Sequence, residues 1–158
     1  MNEKIKKWLT EMFDKVMSKP IPNGRGKIKK GVDMFKLGII DDSWMITDYF
    51  EKQLKGCADI TIWRELPSDT AELDEMDMLI VDGQGISNEK WNHGLMFLAD
   101  YTPKNPAQVV MYYSGNSPDV RQEEMLKAKG FKWKVKGRYP YEVVELVLET
   151  KANKEKDG

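Results

Sequence analysis

The hydrophobic and polar positions along the chain follow two periods in turn. Over residues 2–18, Ile5, Trp8, Leu9, Met12, Phe13, Val16 and Met17 fall on one face at helical spacing. Lys4, Lys7, Glu11, Asp14, Lys15 and Ser18 line the opposite face, and Lys19-Pro20 stops the helix. Short apolar runs then begin. Residues 36–41, Ile60-Thr61-Ile62-Trp63, Met78-Leu79-Ile80-Val81-Asp82 and 108–114 read as strands, the first of them buried. Phe131-Lys132-Trp133-Lys134-Val135-Lys136 alternates strictly, as an edge strand with one solvated face does.

Helical patterns separate these strands. One runs from Trp44 to Lys55, with Ile46, Tyr49, Phe50 and Leu54 as its apolar stripe and Gly56 as its stop. A short helix fits 67–73, capped by Ser68 or Asp69. Another spans Asn88 or Glu89 to Tyr101, after a flexible Gly83-Gln84-Gly85 loop. Ser117 and Pro118 open the next, which ends near Gly130. A last helix runs from Tyr141 to Thr150, followed by a polar, frayed tail. Five alternations of strand and helix predict an α/β fold, with a parallel sheet, helices on both faces and right-handed crossovers. The expected divisions are 1–35, a helix and linker; 36–151, the α/β domain; and 152–158, the tail.

Charge changes the picture of the N-terminus. The whole chain of 158 residues has a net charge of -1. Residues 1–31 hold nine Lys/Arg against three Asp/Glu, a local +6 that leaves -7 for the rest. The connector from Pro20 to Gly31 has four basic residues and no acid. It lacks interleaved aromatics, which argues against nucleic-acid binding. The apolar stripe of the first helix needs cover. Packing onto the same chain or pairing as a homodimer is the preferred reading, ahead of a membrane-surface position or a separate partner. No apolar run approaches a bilayer span. A single cysteine, Cys57, excludes an internal disulfide and suits a reducing, cytoplasmic location. The sole histidine, His93, excludes a His-cluster metal site; it falls on the helix after the third strand, solvated or half-buried.

The chemistry collects at the strand ends. Ligands of parallel sheets bind beyond the carboxyl ends of the strands. Those ends carry Asp41 and Asp42, then Asp82, then Ser114, then Lys136. Taken singly, each suits a cap, a turn or an exposed charge, and Asp42 or Ser43 could N-cap the next helix. Together they form an acidic pocket with one hydroxyl and one amine. Adjacent carboxylates repel unless a positive charge lies between them, and Mg2+ is the usual hard cation for such oxygens. Asp41 and Asp42 would hold it, Asp82 could accept a phosphoryl group, and Lys136 would neutralise charge on that group. Ser114 would hydrogen-bond a phosphoryl oxygen.

Over residues 36–151 this pattern resembles the receiver domain of two-component response regulators. The resemblance aligns Asp41 and Asp42 with the family's acidic pair and Asp82 with its phosphoacceptor. Ser114 aligns with the switch hydroxyl, Lys136 with the lysine of the fifth strand, and Trp133 with the switch aromatic. It implies a flavodoxin-like, doubly wound five-stranded sheet of order 2-1-3-4-5, preceded here by the amphipathic helix. It also implies Mg2+ as cofactor, with Asp82 among its ligands, a histidine kinase or phosphotransfer protein as phosphodonor, and a downstream protein partner. The chain departs from the family in a longer loop before the third helix, in a short second helix and in two local motifs. Gly83-Gln84-Gly85-Ile86 follows Asp82 where receivers carry Met-Pro, and Gly137 follows Lys136 where they carry proline. A non-phosphorylated pseudo-receiver that signals by binding is therefore the alternative, and a Mg2+-dependent phosphohydrolase the third reading.

Overall fold

The computed structural model describes residues 2–17, 34–137 and 140–157, with side chains of 13–17 excepted. The chain divides into two compact units, Met1–Met34 and Phe35–Gly158. In the first, helix α1 spans Glu3–Met17. Asn2 starts it: its Oδ1 accepts from the Lys4 N–H at 3.0 Å, and its carbonyl accepts from Ile5 and Lys6. Ile5, Leu9 and Met12 are half-buried, whereas Trp8 is exposed. The side chains of Phe13, Val16 and Met17, and the basic connector, lie outside the described residues. No described helix is long and apolar enough to cross a membrane.

The second unit contains β1 (Lys36–Ile40), α2 (Trp44–Gln53), β2 (Asp59–Trp63), α3 (Ala71–Asp74) and β3 (Met78–Val81). After them come α4 (Gly94–Asp100), β4 (Val109–Ser114), α5 (Val120–Ala128), β5 (Lys132–Val135) and α6 (Tyr141–Asp157). All neighbouring strands pair in parallel, in the order β2-β1-β3-β4-β5. The strands whose runs are continuously apolar are the central ones. Leu37, Ile39, Ile40 and every residue of β3 are buried, as strands covered on both faces must be.

Strand alternation divides the core in two. On one face Ile40, Leu79, Val81, Val110 and Tyr112 join Leu73 of α3, Leu95, Phe97 and Leu98 of α4, and Leu126 of α5 in one cluster. The alternate residues Leu37, Ile39, Ile80, Met111 and Tyr113 are buried too. There Phe50 of α2 meets Tyr113 edge-on, with ring centroids 6.3 Å apart. Each such aliphatic or aromatic side chain contributes roughly 1.5–3 kcal/mol by leaving water.

Several boundaries differ from the pattern. The helix after β3 begins at Gly94, not at Asn88 or Glu89. Asn88 Oδ1 accepts from the N–H groups of Lys90 and Trp91, which holds the segment in a turn. His93 is half-buried and caps α4: its Nδ1 accepts from the Met96 N–H at 3.1 Å. The Gly83–Ser87 loop is pinned and not free, since Ile86 is buried and its carbonyl accepts from the Leu66 N–H at 2.8 Å. The cap of α5 is Asp119, not Ser117, through a reciprocal pair with Gln122 in which both bonds are 2.8 Å. The short α3 is entered through Thr70, with Asp69 Oδ1 accepting from the Ala71 N–H. Helix α6 runs on to Asp157 through the segment whose polarity suggested fraying. Lys154 ties that extension to Asp77, whose other oxygen accepts from the Lys36 N–H.

Strand β5 lies at the sheet edge and is solvated on both sides, with Lys132 exposed on one and Trp133 and Val135 on the other. Lys134 pairs with Glu142 at 2.7 Å, and Lys136 turns toward the sheet's carboxyl edge. Of the apolar set only Phe131 is buried, while Trp133 and Val135 are 37% and 41% exposed.

Candidate functional site

Sheet hydrogen bonding carries on one residue past three of the strands, and those three residues bear the charges. The Asp41 N–H donates to the Trp63 carbonyl at 3.0 Å, Asp82 N–H to Ile40 at 2.9 Å, and Lys136 N–H to Ser114 at 2.7 Å. The backbone beneath each charged side chain is thus fixed by the ladder. Ser43 takes the cap of α2, its Oγ accepting from the Ile46 N–H at 3.5 Å. That settles the choice between Asp42 and Ser43 and leaves both aspartates to the pocket. Asp41 Oδ1 accepts from the Ser43 N–H at 2.8 Å, which orients its carboxylate.

Asp41, Asp82 and Ser114 are buried, and Asp42 is exposed at the rim. Lys136 Nζ lies 2.8 Å from Asp41 Oδ2 and 3.0 Å from Asp82 Oδ1, bridging the two buried carboxylates. Asp82 Oδ1 also accepts from the Gly83 N–H at 2.7 Å. Burial raises the Asp82 carboxyl above its ordinary value; the Asp41 charge adds to the rise, and Lys136 opposes it. For Lys136, burial alone would lower the ammonium. Hydrogen bonds and charge from Asp41 and Asp82 outweigh that and hold it above its ordinary value. The Tyr113 hydroxyl, on the same face of β4 as the lysine's approach, is pushed up to about 12 by burial and then by Asp41.

Two glycines after β3, Gly85 in the loop and Gly94 at the start of α4, let the pocket close. Gly85 has φ +79°, and a Cβ there would fall 2.2 Å from Asp42 Oδ2. Gly94 donates its N–H to the Gly83 carbonyl, and a Cβ there would fall 1.8 Å from the Asp82 carbonyl oxygen. The sequence pattern reads Gly85 only as part of a flexible loop and places Gly94 inside the following helix. Their spacing does not disclose that two approach Asp42 and the Asp82 backbone.

Asp41, Asp42 and Asp82 each offer one carboxylate oxygen, all within 4.8 Å of one another. The Asp41 Oδ2 atom is buried and, apart from its ion contact with Lys136, has no hydrogen-bond partner among the described residues. An all-oxygen donor set with one under-satisfied buried carboxylate fits a hard divalent cation. Asp41, Asp82 and Lys136 therefore converge, with Asp42 at the rim, and Ser114 Oγ lies beside Gly83. Trp133 does not join them: it stands half-exposed on β5, in register with Tyr112.

No protein-family profile and no curated protein matches the sequence. Solved structures do match the fold. A CheY-like response regulator receiver domain protein from Methanospirillum hungatei JF-1 aligns with a TM-score of 0.64 at 16% identity, over 80% of this chain and 100% of that one. The signal receiver domain of an HD domain-containing protein from Pseudomonas fluorescens Pf-5 gives 0.58 at 16% identity, over 80% and 100%. A response regulator from Burkholderia pseudomallei, solved with a phosphorylated aspartic acid, a calcium ion and citrate, gives 0.56 at 12% identity, over 79% and 72%. The class defined by the sheet order and these neighbours is the CheY-like, flavodoxin-like receiver fold.

Proposed function

We propose that this chain is a receiver module that takes a phosphoryl group on Asp82 and signals through protein contacts. The observation that carries the reading is the convergence at Asp82. Its carboxylate stands at the carboxyl edge of a central strand, within reach of Lys136 and beside Asp41 and Asp42. Asp41, Asp42 and Asp82 would hold Mg2+, which supplies positive charge to the phosphoryl oxygens when bound. Asp82 Oδ1 is engaged by Gly83 and Lys136, so Oδ2 is the attacking oxygen. A bond from Oδ2 to phosphorus forms as the donor's bond to phosphorus breaks, and the donor leaves with its electron pair. Lys136 moves with the charge it neutralises, and Ser114 Oγ donates to a phosphoryl oxygen. A histidine kinase or phosphotransfer protein in the cytoplasm is the matching donor, and Trp133 on the open face of β5 reports the change to a downstream protein. The phosphorylated aspartate of the Burkholderia neighbour is in keeping with this chemistry.

One observation favours a second reading. Lys136 already bridges Asp41 and Asp82, so the buried carboxylates have a counter-charge without a metal. A module that signals by binding alone would need no more. Acetyl phosphate with Mg2+, read by intact mass, separates the two. One added phosphoryl group, absent after chelation and absent in Asp82→Asn, is the expected result. An unmodified wild-type mass would overturn phosphorylation and favour the binding module.

A further inference from the structure

Tyr112 is placed where a core aromatic needs no hydroxyl. Its ring belongs to the cluster with Phe97, Val110 and Leu126, and the residue is 3% exposed. A phenyl ring would fill the same space. The hydroxyl, however, extends along β4 to the carboxyl edge of the sheet. A Cβ built on Gly83 would fall 2.5 Å from the Tyr112 hydroxyl oxygen and 2.5 Å from Ser114 Oγ. Both hydroxyls thus flank one point, next to the residue whose N–H holds Asp82 Oδ1. Ser114 Oγ accepts from the Asn116 N–H at 3.4 Å. The Tyr112 hydroxyl has no hydrogen-bond partner among the described residues. Among the described residues the buried side-chain atom without a partner is Asp41 Oδ2, so the Tyr112 hydroxyl opens to solvent at the sheet edge, where it can donate to a ligand.

We propose that Tyr112 and Ser114 form a hydroxyl pair that binds the oxygens of the phosphoryl group carried by Asp82, with Tyr112 as a second donor. The proposal rests on the phosphoacceptor reading of Asp82 and deepens it. Gly83 is what makes the pair possible, since any side chain there would occupy the space between the two oxygens. The tyrosine also fills the inner side of β4 beside Trp133, its register partner. Trp133 is 37% exposed, and it is Tyr112, with Ser114, that meets the phosphoryl oxygens.

Beryllium fluoride with Mg2+ is the probe, because it occupies an aspartate as a phosphoryl stand-in at equilibrium. Its affinity for the full chain is measured by 19F NMR in the wild type, Tyr112→Phe and Gly83→Ala. Charge-assisted hydrogen bonds of this kind are the strong ones, so Tyr112→Phe is expected to bind about tenfold more weakly. Mg2+ affinity without fluoride should change less than twofold, because the hydroxyl contacts no carboxylate. A purely structural role for the ring would leave beryllium fluoride affinity unchanged. Gly83→Ala displaces both hydroxyls and is expected to lose at least as much. Equal affinity in wild type and Tyr112→Phe would overturn the proposal and leave the Asp82 reading intact. A wild type that neither binds beryllium fluoride nor takes phosphate from acetyl phosphate would overturn both.

Discussion

Lys136 stands between two buried carboxylates, and the balance among these three groups sets the first predictions. Removing one partner of a buried ion pair leaves an uncompensated charge, at a cost of roughly 3–5 kcal/mol. Lys136 keeps 19% of its side chain in contact with solvent, so the low end applies. Lys136→Met should lose about 3 kcal/mol in urea unfolding at pH 7. Saturating Mg2+ should recover most of that loss, because a bound cation replaces the missing ammonium. A deficit indifferent to Mg2+ would remove the charge argument. Asp82 behaves in the opposite sense. Its folded pKa lies above the ordinary 3.8. Its contribution to stability is then complete below 3.8 and is lost as pH rises through the raised folded value. Asp82→Asn should abolish that part of the pH slope. At pH 7, without metal, it should raise the melting temperature on the order of 2 °C. Melting curves from pH 3 to pH 8 test the sign directly. All of these residues were legible in the sequence, because polar groups ending apolar runs mark strand ends. The bridge itself was not, since which oxygen Lys136 reaches depends on register between β4 and β5.

The loop and helix after β3 show where element-scale reading stops. Periodicity extended the helix back to Asn88 because Trp91 and Leu95 suit its stripe. Local hydrogen bonds from Asn88 and the His93 cap win over that pattern, and α4 starts only at Gly94. The same competition moved the cap of α5 from Ser117 to Asp119, where the Gln122 side chain completes the pair. His93→Ala should cost about 1 kcal/mol, with His93→Asn restoring most of it. Chemical unfolding of the two variants is the measurement, and equal stabilities would deny the cap. Gly94→Ala is the sharper test of how the element holds the site. The added methyl would meet the Asp82 carbonyl at 1.8 Å, and backbone must move to admit it. Overpacking of this kind costs about 1–3 kcal/mol. Because the contact is with Asp82 itself, Mg2+ affinity should fall as well. Unchanged Mg2+ affinity in a folded Gly94→Ala protein would separate the loop from the site.

At the scale of the molecule, the five strand and helix alternations predict a parallel sheet, the family resemblance alone supplies its order, and the neighbours in structure share the fold. Sequence identity of 16% leaves almost nothing but the pattern in common. The pattern suffices because burial on both faces dictates apolar strands, whereas the residues that fill them are interchangeable. What it could not place is α1. Its stripe is clear, yet Trp8 is exposed and Ile5, Leu9 and Met12 are only half-buried. An amphipathic face of that kind gains little until something covers it. The unit Phe35–Gly158, by contrast, has its own sheet, both core layers and every member of the acidic pocket. A protein beginning at Phe35 should therefore fold cooperatively and bind Mg2+ with the affinity of the full chain. Circular dichroism melts and Mg2+ titrations of the two proteins make the comparison. A shortened protein that unfolds early, or binds the metal more weakly, would mean that residues 1–34 support the domain. Matching melts and affinities would leave α1 free to act only on what the signal reaches.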